Sequence, residues 1–445
     1  MPAIYPFRAV QYHRGEGDVS RLVAPPYDVL DRAAKDKLLA HDQPNIVAID
    51  LPHTPAKELG PAETYQAAGE RYREWLSNGT LSRRATPAIF AYRQTFAFQG
   101  ATHQRCGMAC TLDAAPFGPR AGGGILPHEE TFSGPKEDRF ALMKATRAQL
   151  SPIFGLHADE KGRVVAVIHE IMKSARPSMT AKMADDVLHE VWAVDDPARV
   201  KAYAGALAGE DIFIADGHHR YTTGLNYIKH LESAGALPPD HPARHSMMVL
   251  VPMSDPGLVI GPTHRVLGGM KGYSLDAFKA AASEHFSFRE IAGDAPALHA
   301  ALVATPRHEC HLGFYDVASK RGLLGTPRSA DPLATRFASK PAAWRTLDVA
   351  IIQYLVVEAI CQPKLNNGDA VKWAFPHSVD EVLEIARGHE TGAGGGAGFA
   401  QLAVMVRPTP LSAVRDVSRA GELMPQKSTF FYPKLATGLF VNPLE

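Results

Sequence analysis

The residues most able to do chemistry lie in one short stretch, from Ile212 to Tyr221. An apolar run ends there, and an acid, a glycine, two histidines and an arginine follow: Asp216, Gly217, His218, His219 and Arg220. A helical pattern begins directly afterwards. A strand that leads through a tight turn into a helix presents backbone N–H groups and the positive end of the helix dipole to a ligand. The stretch therefore predicts an anion-binding site.

Asp216 closes the apolar run, where an unpaired carboxylate is costly to bury. Such a residue caps the next helix, binds a cation or serves as a base, and the sequence leaves all three open. Gly217 permits the turn and lets the backbone approach a ligand. His218 and His219 would diverge by about 100° on a helix, so they cannot form a metal site together without more ligands. One histidine with Arg220 is better suited to hold a phosphate or carboxylate.

Other candidate ligands and acids stand in turns marked by proline or glycine, where binding sites tend to lie. They are Asp28, His128, Glu129, Lys136, Arg139, His264, Arg265, Lys427 and Lys434. Each taken alone has a plain structural explanation, because a single histidine is usually hydrogen-bonded within the fold and a single lysine is usually solvated. Together they predict a site that gathers around Asp216.

Two of these cations are expected near the N-terminus of a helix. The helix should start near Ser133 or Gly134 and continue to about Gln149, which places Lys136 and Arg139 where the helix dipole disfavours positive charge. A bound anion in front of the helix would offset that cost. Alternatively, both side chains extend into solvent.

The elements around these residues predict an α+β fold with mixed sheets and surrounding helices. Period-two patterns predict paired strands at 89–96 and 105–112, and helical patterns are expected at 63–77 and 221–234. Soft boundaries near 150 and 300 give an N-terminal α+β region at 1–150, a central region with the 216–220 motif at 151–300 and a C-terminal α+β region at 301–445. A single compact unit is the alternative.

Two stretches imitate nucleotide-binding loops and are excluded by their context. The glycine-rich run at 392–398 follows a helical pattern and precedes a strand pattern, whereas a dinucleotide loop follows a strand and opens a helix. The tripeptide at 427–429 copies the end of a P-loop, but Gln426 stands where that loop needs glycine. Residues 216–220 therefore remain the best phosphate site.

Composition excludes several classes of protein. The 47 basic and 47 acidic residues give no net charge, which makes nucleic acid an unlikely main partner. The four cysteines are too few and too scattered for a disulfide framework, and Cys106 and Cys110 are expected to be buried thiols rather than zinc ligands. The sequence shows neither a signal-peptide pattern nor an apolar run of membrane-spanning length. The expected location is a reducing cytoplasm.

Four motifs are distinctive: Ala-Pro-Pro-Tyr-Asp-Val at 24–29, Leu-Pro-His-Glu with a later Pro-Lys and Asp-Arg at 126–139, Ile-Ala-Asp-Gly-His-His-Arg-Tyr at 214–221, and Met-Pro-Gln-Lys-Ser-Thr-Phe-Phe-Tyr-Pro-Lys at 424–434. With these motifs the chain resembles, over nearly its whole length, the uncharacterised bacterial and archaeal family called domain of unknown function 1015. That resemblance by itself implies no activity.

The core at 216–220 is also similar to the phosphate-binding turn of the ParB and sulfiredoxin superfamily, which includes nucleotide-dependent free-serine kinases and CTP-binding partition proteins. The resemblance implies a ParB/sulfiredoxin-like strand–turn–helix unit in which Gly217 to Arg220 hold a nucleotide phosphate. It also implies that Asp216 is close to the chemistry, and that ATP or ADP with Mg²⁺ is the cofactor.

These observations favour a nucleotide-dependent phosphotransferase that acts on a small polar metabolite, such as free serine. Asp216 and His218 are the expected catalytic residues, Asp216 is also the candidate Mg²⁺ ligand, and the other candidates are expected to bind phosphate or substrate. One alternative is a non-catalytic nucleotide or nucleic-acid binder of the ParB type, although no basic helix-turn-helix segment is visible. Another is a metal-dependent hydrolase that uses His128, Glu129, His218 and His219.

Overall fold

The structure, a computed structural model, describes residues 3–41, 44–56, 58–129, 134–389, 391 and 393–445. The chain divides into two compact units. Unit 1 comprises Met1–Pro127, Thr131–Val259 and Pro433–Glu445, and unit 2 comprises His128–Glu130 and Ile260–Tyr432. Each unit combines sheets with surrounding helices, so the predicted α+β fold is confirmed. The division into three regions stays a prediction.

Helices surround the sheets of both units. In chain order the α-helices are α1 (Arg32–Leu39), α2 (Val47–Asp50), α3 (Ala62–Ser77), α4 (Gly134–Thr146), α5 (Arg163–Ser174), α6 (Pro197–Leu207), α7 (His218–Ala234), α8 (Leu275–Ala282), α9 (Ala295–Val303), α10 (Ala342–Arg345), α11 (Asp348–Ala350), α12 (Val379–Ala386) and α13 (Leu411–Arg419). A π-helix, Ile351–Leu365, continues α11. Within the described residues, every helix is too short or too polar to cross a bilayer.

The strands are numbered in the same way. They are β1 (Ile4–Tyr5), β2 (Val10–Tyr12), β3 (Gly17–Asp18), β4 (Leu81–Arg83), β5 (Ile89–Phe98), β6 (Ala101–Asp113), β7 (Ile125–Leu126), β8 (Ala148–Gln149), β9 (Ile153–His157), β10 (Met179–Lys182), β11 (Leu188–Val194), β12 (Ile212–Asp216), β13 (His245–Pro252), β14 (Val259–Gly261), β15 (Arg265–Gly268), β16 (Phe286–Ile291), β17 (Leu312–Asp316), β18 (Gly322–Pro327), β19 (Lys372–Ala374), β20 (Ala400–Met405), β21 (Phe430–Tyr432) and β22 (Asn442–Pro443).

Among the described residues, a ten-stranded mixed sheet forms the centre of unit 1. Its order is β3-β10-β11-β5-β6-β13-β9-β12-β7, and β1 pairs with β6. The pair β12 and β7 is parallel, and β12 runs antiparallel to β9 on its other side. Ile212, Phe213 and Ile214 of β12 are fully buried, because β12 has a strand on each side and apolar packing on its faces. The sheet therefore fixes the position of Asp216 at the end of this strand.

Helices α3, α4 and α7 also pack together within unit 1. The helix predicted at 63–77 is α3, and it buries one side through Tyr65, Ala68, Tyr72 and Trp75. Gly69 lies on the same side and allows a close approach to α4, since a Cβ atom added there would be 2.4 Å from the carbonyl oxygen of Ala145. The packing of α3 on α4 thus depends on the absence of a side chain at residue 69.

Replacing Gly69 with alanine is expected to destabilise the protein by about 1–3 kcal/mol, because the added methyl group overpacks the contact with α4. The matched control is Gly205→Ala in the interior of α6, where the added Cβ meets no described atom within 4 Å outside its own helix. That change should stabilise by about 0.5–1 kcal/mol through helix propensity. Urea titration of the unfolding free energy measures both variants, and equal effects would contradict the packing argument.

Unit 2 is built on an antiparallel six-stranded sheet, in the order β16-β18-β17-β20-β15-β19, as far as the described residues show. Arg265 begins β15, and α11 is followed directly by the π-helix. The glycine-rich run at 392–398, of which residue 392 lies outside the described residues, follows α12 and precedes β20. This order confirms that the run is not a dinucleotide loop.

Candidate functional site

The strand–turn–helix prediction at 212–234 is confirmed. Asp216 is the last residue of β12, and α7 begins at His218. Gly217 between them has a φ angle of 91°, a conformation that favours glycine. The N–H of Tyr221 donates the first helical hydrogen bond, to the carbonyl of Gly217 at 2.9 Å. The backbone N–H groups before Tyr221 therefore precede the helical hydrogen-bond pattern, and the N-cap residue supplies no side chain to cap them.

Asp216 forms ion pairs with two cations instead of capping α7. Lys434 Nζ lies 2.7 Å from Asp216 Oδ1, and Arg220 Nη2 lies 2.6 Å from Asp216 Oδ2. The side chains of Asp216, Arg220 and Lys434 are only 17%, 10% and 22% exposed. Of the three roles that the sequence left open for Asp216, the structure shows cation binding, and the cations are side chains of the protein itself.

These pairs control the charge state of the cluster. Burial by itself raises the pKa of Asp216, but the charges of Lys434 and Arg220 outweigh it and hold that pKa well below its usual range. Burial lowers the pKa of Arg220 and of Lys434, but attraction to Asp216 and then to Asp28 reverses the effect and leaves both raised. All three groups are charged at neutral pH. A carboxylate held so firmly in its ionised form is a weak proton acceptor.

Two buried side chains fix the segment that carries Lys434. Gln94 Nε2 donates to the carbonyl of Lys434 at 2.9 Å, and Arg105 Nη2 donates to the carbonyl of Pro433 at 2.6 Å. Arg105 is itself almost fully buried, and its guanidinium lies 4.6 Å from the ring centre of Phe154. Strands β5 and β6 therefore position the C-terminal segment of the chain at the end of β12.

Arg139 lies in a second buried cluster of unit 1. Its Nε donates to Asp138 Oδ2 at 2.6 Å, and its Nη1 donates to the carbonyl of Asp50 at 2.6 Å and lies 3.5 Å from Asp50 Oδ1. The guanidinium also lies 4.0 Å from the ring centre of Tyr27. Two acids of the protein thus offset the cost of a cation near the N-terminus of α4. Neither a bound anion nor an extension into solvent, the two expectations from sequence, accounts for Arg139.

A small cavity of about 40 Å³ adjoins both clusters. Polar side chains in its wall include Tyr27, Asp50, Arg139, Ser151, Arg220 and Thr223. This volume suits one or two water molecules and is far too small for a nucleoside. The hydroxyl of Thr223 is buried and makes no hydrogen bond to a described residue, so a water molecule would satisfy it. A larger ligand must therefore bind outside this cavity.

Asp28 is an acid near the Asp216 cluster whose carboxylate accepts no hydrogen bond from a described residue. It lies in the 3₁₀ turn Tyr27–Val29, and its side chain is exposed. It hydrogen-bonds to none of the described residues, yet its charge contributes to the raised pKa values of Arg220 and Lys434. His218 and His219 are half-buried in the first turn of α7, and Lys136 is half-buried in the first turn of α4.

Other predicted site residues meet in unit 2. Glu129 accepts hydrogen bonds from the backbone N–H groups of Lys427 at 2.7 Å and Ser428 at 3.3 Å. His128 is fully buried, and its Nε2 lies 2.8 Å from Thr429 Oγ1. The motifs at 126–129 and 424–429 therefore do converge, and the acid fixes the backbone of 427–428 while the Lys427 side chain is exposed.

Arg265 supports the same loop from inside unit 2, and the neighbouring His264 is bonded elsewhere in that unit. Arg265 Nη2 donates to the carbonyl of Lys427 at 3.0 Å, and burial lowers the pKa of Arg265 to about 10. His264 Nδ1 accepts the N–H of Val406 at 3.1 Å. Burial, and then His299, lower the pKa of His264 to about 3, so this ring is neutral at pH 7 and supplies no positive charge.

The predicted site residues thus form two groups, each described within its own unit. Unit 1 holds Asp28, Lys136, Arg139, Asp216, Gly217, His218, His219 and Arg220, and unit 2 holds His128, Glu129, His264, Arg265 and Lys427. Sequence reasoning missed Asp50 and Ser151, which are hydrogen-bonded to each other at 3.2 Å. Asp50 carried the same signal as Asp216, because it directly follows the apolar run 46–49.

The metal site expected for a hydrolase receives no support. Among the described residues, the His, Cys, Asp and Glu donors that lie close enough to share an ion are those of Cys106, His169 and Asp255. His128, Glu129, His218 and His219 are not among them.

The chain belongs to the family described as protein of unknown function (DUF1015), which matches residues 4–350. This match confirms the resemblance that the four motifs indicated. No curated protein matches the chain significantly.

Several solved structures share a weak likeness with the chain. A mutant free serine kinase in complex with ADP is 11% identical, with a TM-score of 0.33, over 73% of this chain and 95% of that one. Another mutant free serine kinase, in complex with AMP, is 10% identical, with a TM-score of 0.34, over 73% and 95%. SbnI with a C-terminal truncation, from Staphylococcus aureus, is 12% identical, with a TM-score of 0.30, over 72% and 83%. Scores of this size carry no conclusion about activity.

Proposed function

We propose that this member of the DUF1015 family is a nucleotide-dependent phosphotransferase that transfers a phosphoryl group to the hydroxyl of a small polar metabolite, such as free serine. One arrangement carries the proposal. Asp216 holds Arg220 and Lys434 beside the N-terminus of α7, and the uncommitted acid Asp28 lies near both cations. Phosphoryl transfer depends mainly on positioning and on stabilising charge, and this arrangement supplies both.

The start of α7 is the part that would hold phosphate. The backbone N–H groups of its first turn point along the helix axis, and the dipole favours an anion there. The first turn contains no acid, and His218 and His219 add polar side chains. The guanidinium of Arg220 is already engaged by Asp216 and by the carbonyl of Pro152, so it would contribute charge rather than a direct contact. The choice of a nucleotide rests on the likeness of residues 216–220 to known phosphate-binding turns.

Asp28 is the better candidate for the general base. It is exposed and its carboxylate oxygens accept no hydrogen bond from a described residue, whereas both oxygens of Asp216 are occupied by cations. In the proposed reaction the substrate oxygen forms a bond to phosphorus, the bond from phosphorus to the nucleotide oxygen breaks, and the hydroxyl proton passes to Asp28. Asp216 keeps Arg220 and Lys434 in place for the phosphate charge.

Asp28 and Asp216 also differ in how well each would bind Mg²⁺. This ion binds carboxylate and phosphate oxygens and retains several waters. Asp216 fits this ion poorly, because coordination would displace Lys434 or Arg220. Asp28 fits Mg²⁺ better, because one of its two carboxylate oxygens can bind the ion while the other accepts the proton. When bound, Mg²⁺ would neutralise charge on the phosphates.

The proposal is tested by incubating the purified full chain with Mg²⁺, pooled amino acids including serine, and ATP, ADP or pyrophosphate in turn. Mass spectrometry should show a phosphorylated product that depends on both the donor and the protein. Binding of nucleotide without any product, together with retardation of DNA in a gel, would overturn the enzyme proposal in favour of a ParB-like binder.

Gly217→Ala is expected to weaken nucleotide binding about tenfold, equal to about 1.4 kcal/mol. The added Cβ would lie 2.9 Å from Arg220 Nε at a φ angle of 91°, which disturbs the turn in front of α7. The matched control is Gly162→Ala, another N-cap glycine with positive φ, where the Cβ meets no described atom within 4 Å. Isothermal titration with the donor nucleotide should show weaker binding only for the first variant.

A further inference from the structure

Three potential metal ligands lie close together in unit 1. None of them is a residue of the proposed phosphotransferase site. The Sγ atom of Cys106, one ring nitrogen of His169 and one carboxylate oxygen of Asp255 lie within 4.8 Å of one another. They come from three different elements: β6, α5 and the turn after β13. Cys106 packs in the same apolar cluster as Val164 and Ile168 of α5, which is why the thiol and the histidine meet.

The turn that carries Asp255 is anchored to β6. Asp255 Oδ2 accepts the N–H of Cys106 at 3.1 Å, and Oδ1 accepts the N–H of Gly257 at 2.9 Å. Gly257 packs so closely on β6 that a Cβ atom there would lie 2.1 Å from the carbonyl oxygen of Gln104. Any side chain at residue 257 would push the turn away. The backbone therefore holds the carboxylate over the thiol.

The three side chains also have capacity left for a ligand. Cys106 and Asp255 are only 6% and 5% exposed, while His169 is half-buried and leaves one side open. The ring of His169 is attracted by the charge of Asp255 but hydrogen-bonds to none of the described residues. The thiol, the imidazole and the carboxylate lie together at the edge of the core, and their side chains make no hydrogen bonds to one another. A cation bound between them would satisfy their donor atoms.

We propose that Cys106, His169 and Asp255 form a Zn²⁺ site with an open fourth position. Zinc accepts sulfur, nitrogen and oxygen ligands together in a tetrahedral arrangement. Zinc–ligand bonds of about 2.0–2.3 Å place tetrahedral ligand atoms roughly 3.5 Å apart. Side-chain rotations that move the three donor atoms by about 1 Å would therefore bring them within bonding distance of one ion. Binding replaces the S–H bond of Cys106 with an S–Zn bond and releases one proton to solvent. A water molecule would take the fourth position at the open side of His169.

The site differs from the pair of cysteines that the sequence brings to attention. Cys106 and Cys110 both lie on β6. Four residues of a strand span about 13 Å, so the two thiols cannot share one ion. Cys110 is nevertheless a close match for Cys106 in other respects, since it is a buried thiol in the same apolar cluster of the same strand. This match makes it the natural control.

The test uses the purified full chain, loaded with Zn²⁺ or Co²⁺ alone and freed of excess metal. Elemental analysis should find one ion per chain, and the Co²⁺ form should show a thiolate-to-cobalt charge-transfer band. Cys106→Ser should abolish the band and weaken Zn²⁺ binding by at least about tenfold, while Cys110→Ser should retain both. Circular dichroism checks that each variant is folded. If Cys106→Ser is not folded, Asp255→Asn serves in its place with Zn²⁺ affinity as the readout, and an unchanged affinity would also overturn the proposal. Failure of the folded wild-type chain to bind stoichiometric Zn²⁺, or an unchanged band in Cys106→Ser, would overturn the proposal.

Discussion

Replacing Asp216 with asparagine is expected to lower the unfolding free energy by about 3 kcal/mol at pH 7. Arg220 and Lys434 would then remain largely buried without their shared carboxylate, and removing one partner of a buried ion pair typically costs about 3–5 kcal/mol. The lower end applies because all three side chains keep some exposure. Urea titration of the unfolding free energy measures the effect.

The matched control is an exposed ion pair of unit 1. Lys182 and Asp186 are 62% and 87% exposed and lie 2.9 Å apart. Asp186→Asn should change the unfolding free energy by less than about 0.5 kcal/mol, because water screens the exposed pair. Equal losses in Asp216→Asn and Asp186→Asn would show that burial does not govern the strength of the Asp216 cluster.

The same cluster predicts a pH dependence with a definite sign. Because the folded-state pKa of Asp216 is depressed, its contribution to stability is fully present above the unfolded aspartate pKa of about 3.9 and is lost as the pH falls further, towards the folded value. The stability difference between wild type and Asp216→Asn should therefore be constant from neutral pH down to about pH 4 and then narrow. If the stability difference between the two proteins stays constant below about pH 4, the assignment of a depressed pKa to Asp216 is contradicted.

Asp28→Asn is expected to reduce phosphoryl transfer by about 10²–10⁴-fold, the usual contribution of a general base. The exposed carboxylate has no hydrogen-bond partner among the described residues and acts on Arg220 and Lys434 through its charge alone, so the loss of stability should be smaller than that of Asp216→Asn. Turnover measured by mass spectrometry at saturating donor separates this loss from a loss of binding.

Asp31→Asn is the matched control for Asp28→Asn. Asp31 is also exposed and lies three residues further along, where Oδ1 caps α1 by accepting the N–H of Ala34 at 2.7 Å. Asparagine caps a helix about as well as aspartate, so both stability and turnover should be retained. A folded Asp216→Asn variant without turnover, beside an active Asp28→Asn variant, would move the role of base to Asp216.

Local sequence signals predicted the elements of the site well. The apolar run 212–215 followed by Asp216 and Gly217 indicates a strand, a turn and a helix, and the structure has all three in those places. Asp31, an aspartate directly before a helix, likewise caps α1. These features depend on interactions between residues only a few positions apart, which periodicity and turn chemistry report directly.

The partners of those elements could not be predicted in the same way. Lys434 was visible as a candidate, but its ion pair with Asp216 spans 218 residues. Arg139 lies 89 residues from Asp50, and no pattern along the chain indicates that the two residues meet. Such pairs depend on which strands and helices become neighbours, and the periodicity of a segment does not record its neighbours.

The sequence by itself determined that residues 212–220 form a strand and a turn that present backbone N–H groups at a helix start, because short-range sterics and hydrogen bonding suffice for that unit. It also determined the family, through short motifs that are spread along most of the chain. Only the tertiary structure decided that Asp216 is occupied by Arg220 and Lys434, that Asp28 is exposed, and that Arg139 is neutralised internally. The reason is that burial and charge pairing are set by contacts between segments far apart in the chain, and these contacts decide which acid is free to react.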